Sequence, residues 1–492
     1  GPDIFIFGHD RIGDWAEAKI IAPLDDRIPE AVVGEFLPET IPPARYEGQL
    51  WGLPLAFKST LLFYNKALVA KAPETTDELL RLADGIDGEG QVALAYLYDD
   101  LYYHALWYFG FGAQLWTEDG RLAVDSPESL ASMAFVQKLQ RQGVLPTEPS
   151  GSLIAQLFNE GKAAMVINGP WFVGEIMDDV DYGVAPLPII SENGQPATPF
   201  LTTEMVLLSG RSTNPDAAIT VLQYLVGAES ATVRTQIGRQ AVAHGQPWST
   251  PEVRDDPVLS VFRRQLPHTR PMGNEPRDRA VWEPTLLMLR KLTRSGATPE
   301  EAARAGIRRY GAITRPVPPK ANATLYLVLA IGLVLAALFA LGRGLSRLRD
   351  RAARKRAARG WTWISPAITG TVVLLFIPFV VGLTLALFAH RQGDWTFVGL
   401  ANFKDILGAE TFSPTEPLSF YFAFVVTILW TGINLFLHVS IGLGMALLLS
   451  RPALKLRPLY RVLLIIPWAV PNYITALIWK AMFSTQLGVI NC

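Results

Sequence analysis

The chain has 492 residues, enough for about three domains, with a formal net charge of -1 and 50% hydrophobic residues. A balance this close to neutral gives no reason to expect a nucleic-acid partner. The single cysteine, Cys492, excludes an intrachain disulfide and a cysteine-based metal site, and the 6 histidines lack metal-ligand spacing, so no metal or cofactor is expected.

Gly1-Pro2-Asp3 runs at once into the strand-like Ile4–Phe7, with no charged leader or cleavage site, and the last residues follow directly on an apolar run. The chain therefore reads as a piece of a longer protein. Thr60–Tyr64 reads as a strand running into Asn65-Lys66. Ser126-Pro127-Glu128 is a helix start, with Leu130, Met133, Ala134 and Leu139 at helical spacing and a stop at Gly143. Leu153–Asn159 reads as a short helix closed by Gly161, followed by a strand over Ala163–Ile167 that leads into Asn168-Gly169-Pro170-Trp171. Asn214-Pro215-Asp216 caps a helix through Val226. Residues 1–315 thus form an α/β domain with apolar sequence for two cores, and the Pro-rich stretch up to residue 323 is a stiff spacer.

Beyond the spacer the solvent changes. Residues 324–342, 364–389, 420–449 and 462–483 are each long and apolar enough to cross a hydrocarbon core of ~30 Å as a helix. The loop 343–360 carries Arg and Lys against one acid, Asp350, and Arg451–Arg461 is also basic. Cytoplasmic loops are enriched in Lys and Arg, so both loops lie inside and residues 1–315 outside. Trp361, Trp363 and Trp479 sit where interfacial anchors sit. On the third span Asn434 and His438 share a face, either as an interhelical pair or along a pathway. Pro467 and Pro471 remove backbone donors from the fourth.

No catalytic residue emerges: there is no phosphate loop, nucleophile elbow or dinucleotide fingerprint. Asp99-Asp100 reads as a solvated pair, because adjacent residues do not face one another. What stands out is an aromatic surplus near loop signals: Trp51, Tyr96, Tyr98, Tyr102, Tyr103, Trp107, Trp116, Trp171 and Trp282. Flat rings beside forked polar groups such as Asp10-Arg11 suit a sugar, whose CH face stacks while its hydroxyls meet the polar groups. Core packing is the alternative for each ring.

Five segments occur in the order of a known family: Gly1–Arg11, Leu53-Pro54 with Phe63–Lys66, Phe158–Met165, Asn168–Trp171 and Tyr182–Val184. On them, residues 1–315 resemble the extracellular solute-binding proteins of ABC importers, most closely the maltose type. Phe397–Phe403, Ile465–Pro471 and Trp479–Phe483 resemble the permease subunit of the same importers, over 361–492. The resemblance implies a two-lobed periplasmic-binding-protein α/β fold followed by an all-α multi-span membrane bundle in a bacterial inner membrane. It also implies a small-molecule sugar ligand, a second permease subunit, and a separate ATP-binding subunit dimer to hydrolyse ATP. Carried over by motif, the ligand-binding candidates are Asp10, Arg11, Asp100, Tyr102, Tyr103, Trp171 and Trp282. Phe7, Lys58, Glu283 and Leu286 depart from the family pattern, which leaves the sugar open. Glu301–Gly306 resembles the loop by which permeases dock their ATPase, but it falls before the first span, within a helix the binding-protein resemblance already explains. Two other classes remain: a membrane-anchored receptor or sensor, and a membrane-anchored glycan enzyme, which would need facing carboxylates in a cleft.

Overall fold

The computed structural model describes residues 1–492 apart from 87, 89, 347–350, 392, 393, 410, 411, 453, 455, 470, 484–489, 491 and 492. The chain divides into two units, Gly1–Thr314 with Pro471–Cys492, and Arg315–Val470.

The first unit is built on strands β1 (Ile4–Gly8), β2 (Gly52–Lys58), β3 (Leu61–Asn65), β4 (Val92–Ala95), β5 (Ala163–Asn168), β6 (Tyr182–Ala185), β7 (Phe200–Leu208) and β8 (Arg270–Pro271). One sheet gathers β1, β2 and β8 on β7, with β1 and β2 antiparallel and β8 parallel to it. The other runs β4-β5-β3-β6, with β4 and β5 parallel. In β3, Leu61, Leu62 and Phe63 are all buried, as expected of a strand covered on both faces. Each sheet has its own buried cluster, around Leu53, Val206 and Leu222 in the first and around Leu62, Trp107 and Met165 in the second. The chain passes from one sheet to the other at Ser59-Thr60, where the Ser59 hydroxyl donates to the Phe200 carbonyl (2.9 Å). It returns through residues 186–199.

The helices that matter for the site are α1 (Leu101–Gly110), α2 (Pro127–Arg141), α3 (Gly151–Asn159), α4 (Pro215–Val226), α5 (Trp282–Arg294) and α6 (Pro299–Thr314). The start signal of α2 works as read: the Ser126 hydroxyl accepts from the Ser129 N–H at 3.2 Å, and Pro127 takes the first turn, where no N–H is needed. Gly143 then adopts φ +71, which favours glycine. Ser126→Ala should cost about 1 kcal/mol of stability in thermal unfolding; no loss would mean that water replaces the cap at no cost. Asn214 precedes α4 as expected but makes no side-chain cap bond. Ala302 and Ala303 of α6 are buried in the cluster shared with α1 and α5, so Glu301–Gly306 is committed to packing in this unit.

Expectations for the acidic pair and for the apolar runs need correction. Asp99 is not solvated: it is buried and bound by Arg294 (2.5 Å) and Arg290 (3.6 Å). Asp100 caps α1, its carboxylate accepting from the Tyr102 N–H at 2.8 Å. Among the described residues three helices are long and apolar enough to cross a membrane, Ala323–Ala340, Arg359–Leu385 and Phe420–Ser450. The run 462–483 falls on two described helices, Arg457–Ala469 and Asn472–Met482, the second preceded by Pro471. Pro471 itself has no N–H to donate to a preceding turn. The expected 364–389 helix ends at Leu385, and Phe388–Arg391 instead pairs as an antiparallel strand with Asp394–Phe397. Within it Val372–Phe376 widens to a π-turn just before Pro378, which has no N–H to give the preceding turn. Asn434 donates to the Trp430 carbonyl of its own helix (2.8 Å).

Candidate ligand-binding site

The site is organised by the first residues of β7, where Phe200 and Thr202 stand between elements of both sheets. The segment after β1 turns as His9-Asp10-Arg11. His9 is fully buried and pinned twice: its Nδ1 accepts from the Thr203 N–H (3.0 Å) and its Nε2 donates to the Met272 carbonyl (2.9 Å). Burial holds its pKa below the ordinary histidine value, so it is a neutral peg that fixes the turn. Asp10 and Arg11 follow at the surface, ion-paired at 3.4 Å with side chains 28% and 32% exposed. Asp10 folds over Gly8, where a Cβ would lie 2.7 Å from its carboxylate.

Beside this turn, Lys58 at the end of β2 pairs with Glu204 of β7 at 2.5 Å. The departure at Lys58 is thus neutralised by an acid on the next strand. The Lys58–Glu204 pair is hydrogen-bonded, whereas Arg11 Nε, buried beside Asp10, has no hydrogen-bond partner among the described residues.

The aromatic candidates come from three further elements. Tyr102 in the first turn of α1 lies near-parallel to Phe200 (centroids 6.3 Å, 30°), and Trp282 at the start of α5 meets the same ring at 6.0 Å. Trp171, on the turn after β5, is tilted against Tyr102 at 6.2 Å and is 40% exposed. Its indole folds back over Gly169, where a Cβ would come within 2.2 Å of the ring, so glycine is required there. Tyr103 is different: it is buried, and its hydroxyl donates to Asn168 Oδ1 (3.0 Å), which also accepts from the Gly169 N–H. It therefore holds the Trp171 turn in place. Asp100 spends one oxygen capping α1, and burial raises its pKa. A cavity of about 380 Å³ borders Trp171, lined also by Val173, Ile237, Arg239, Val258 and Phe262.

Tyr102, Trp171 and Trp282 thus form one aromatic wall with Phe200, while Asp10 and Arg11 sit on the turn pinned to β7 by His9. Phe200, Thr202 and Glu204, which the structure sets beside these candidates, were not legible in the sequence, because a strand carries no sign of which of its ends lies near a ligand. Several other rings of the surplus are structural. Trp107 is fully buried, its indole donating to the Tyr96 hydroxyl (2.9 Å); Tyr98 donates to the carbonyls of Pro146 and Thr147; Trp51 donates to the Tyr46 carbonyl (3.1 Å). Trp116 donates to Asp278 (2.7 Å) beneath the Arg277 guanidinium. Glu283, another departure, pairs with Arg309.

Residues 1–232 match the family model described as bacterial extracellular solute-binding protein. The chain is 26% identical over 294 residues to a maltotriose-binding protein of Pyrococcus abyssi, covering 57% of this chain and 63% of that protein's length. It is 28% identical over 310 residues to a maltooligosaccharide ABC transporter solute-binding lipoprotein of Streptococcus pneumoniae, covering 58% of this chain and 70% of the relative. Among solved structures it is similar to a cyclo/maltodextrin-binding protein complexed with maltotetraose, with TM-score 0.60, 28% identity, 64% of this chain and 83% of that one. A Staphylococcus aureus extracellular solute-binding protein in complex with maltose gives TM-score 0.58 at 26% identity, over 64% of this chain and 85% of that one. These matches, the two sheets joined at Ser59-Thr60 and the aromatic wall agree: the N-terminal part of the chain has the fold of an extracellular solute-binding protein.

Proposed function

We propose that residues 1–315 bind a neutral oligosaccharide outside the membrane and hand it to a permease formed by the following helices, as the sugar-capture arm of an ABC importer. The observation that carries the sugar reading is the wall of Tyr102, Trp171 and Trp282 on Phe200, set near the ion pairs Asp10–Arg11 and Lys58–Glu204. Rings offer stacking faces for the CH side of a sugar. Paired opposite charges offer hydroxyl partners, the unpartnered Arg11 Nε among them, with no net charge to favour a charged ligand. The relatives whose printed names state maltotriose and maltooligosaccharide point to an α-glucan class.

The membrane half of the reading is supported by the three apolar helices and by the basic loops at 343–360 and 451–461. On it, ATP hydrolysis belongs to separate subunits, a second permease subunit completes the pathway, and Asp10, Arg11 and Asp100 contact sugar hydroxyls.

Two measurements test this. Titrating the full chain in detergent with maltotriose should give a saturable change in tryptophan fluorescence, with no response to a uronic acid of similar size. Absence of any response to maltotriose, maltose or maltotetraose would sink the ligand reading. Protease added to sealed, outward-facing cells should remove residues 1–315; full protection of that domain would overturn the topology.

A further inference from the structure

The stretch between the solute-binding domain and the first membrane helix makes a series of specific contacts within the second unit. Arg315 pairs with Asp405 on the helix Ala401–Gly408. The Ala321 N–H donates to the Phe397 carbonyl at 2.8 Å. Tyr326, in the first turn of the helix Ala323–Ser346, packs edge-on against Phe397 (5.2 Å, 81°), and its hydroxyl accepts from the Leu400 N–H at 3.2 Å.

The receiving loop is built for this occupant. Gly399 has φ +60, and a Cβ there would lie 2.5 Å from the Tyr326 hydroxyl and 3.2 Å from the Ala321 Cβ, so only glycine lets the segment lie down. Val398 is 3% exposed, in a unit whose membrane helices leave their side chains largely open. Its N–H donates to the Leu387 carbonyl (2.9 Å), while the Asn402 amide donates to the carbonyls of Ala386 and Phe388 (2.9 and 3.1 Å). Those bonds tie the loop to the end of the second membrane helix. A half-exposed pair such as Arg315–Asp405 contributes only ~0–1 kcal/mol. The grip therefore rests on the backbone bond and the Tyr326 ring.

We propose that the loop Val398–Asn402 is a socket whose occupant is this chain's own tether, residues 315–326, and that it anchors the point from which the solute-binding domain leaves the membrane unit. Its consequence for transport rests on the uptake reading above. Eight free residues, 315–322, would reach up to ~27 Å. Anchoring them at Arg315 and Ala321 removes most of that play, and the effective concentration of a tethered module depends on the reach of its linker. A loosened tether should raise the sugar concentration needed for half-maximal uptake and leave the sugar affinity of the binding domain unchanged.

Hydrogen exchange on the full chain in lipid nanodiscs reads the socket directly. Pro316, Pro318 and Pro319 have no N–H, so few amides report on the segment and Ala321 stands out among them. Its amide should exchange at least ~10-fold slower than an unstructured one, and Tyr326→Ala should bring it back to the unstructured rate. Tyr326→Phe, which keeps the ring and should fold even if the alanine variant does not, should give an intermediate rate. An unprotected Ala321 amide in the unaltered chain, or protection unmoved by Tyr326→Ala, would overturn the socket. In proteoliposomes with partner subunits, Tyr326→Ala should raise half-saturation for uptake by ~5–10-fold at unchanged maltotriose affinity. An unchanged half-saturation would overturn the transport role. If the unaltered chain carries no sugar at all, the uptake reading fails, while the exchange result still decides the socket.

Discussion

Replacing Trp171 and Trp282 together by alanine is expected to weaken maltotriose binding by ~100-fold or more, with about tenfold from each ring. Ring stacking contributes ~0.5–1.5 kcal/mol beyond area burial, so with the buried area about 1.4 kcal/mol, tenfold in affinity, is expected from each ring. The two rings come from different elements, the turn after β5 and the start of α5, and share no direct contact among those described. Their losses should therefore be nearly additive. Trp171 is 40% exposed, so its removal should barely move the unfolding temperature, whereas Trp282 packs on Phe200 and on the core of α5 and should cost stability as well. Fluorescence from the remaining tryptophans, or calorimetry, separates these effects from binding. Single variants that each bind within twofold of the unaltered chain would remove the aromatic wall from the ligand site. Tyr103→Phe is a useful contrast. It deletes only the hydroxyl that bonds Asn168, so any loss of affinity would come through a loosened Trp171 turn rather than a lost ligand contact.

Acidification from pH 7 to 4.5 is expected to cost the first unit about 2–3 kcal/mol through His104 alone. His104 is fully buried in α1, 3.2 Å from the Ser132 hydroxyl, and burial pushes its pKa down to about 3. An unfolded histidine titrates near ~6.5. Above that pH neither state carries the proton and the group makes no difference. Below it the unfolded chain takes up a proton that the folded one refuses, so stability falls as pH drops from ~6.5 towards the folded value. The slope is ~1.4 kcal/mol per pH unit. His9 is shifted in the same direction for the same reason, so its contribution adds to this loss. Thermal unfolding of the full chain followed by tryptophan fluorescence should show a shallower decline between pH 6.5 and 4.5 for His104→Gln, which keeps a hydrogen-bonding group near Ser132. Parallel curves for the two proteins would show that His104 is not a neutral buried histidine.

Much of the local structure was legible because its causes are local. Ser126-Pro127 starts a helix since the hydroxyl and the missing N–H act within one turn, and Gly143 and Gly161 stop theirs through their own dihedrals. The apolar runs at 324–342 and 420–449 announced helices long and apolar enough to cross a membrane by length alone. The fourth run falls on two helices, and its prolines, visible in the sequence, marked where backbone donors are lost but not where one helix ends and the next begins. Asp99 was misjudged for a different reason. Its partners Arg290 and Arg294 are far along the chain, and pairing across that separation leaves no trace in the neighbours of Asp99.

Taken alone, the order of residues determined the α/β character of the first 315 residues, the apolar runs, the charge asymmetry of the loops, and a pool of aromatic side chains with a polar turn at His9-Asp10-Arg11. Each of these depends on composition, on period or on a single turn. Only the tertiary structure decided which rings face one another, because β7 has to bring α1, α5 and the Trp171 turn together before Phe200 can join them. It also decided that Lys58 pairs with Glu204, that the Tyr103 hydroxyl bonds Asn168 beside the Trp171 turn, and that Tyr326 and Ala321 lie against Gly399. Those outcomes are pairings between distant segments, and a pairing acquires a distance only once the chain has folded.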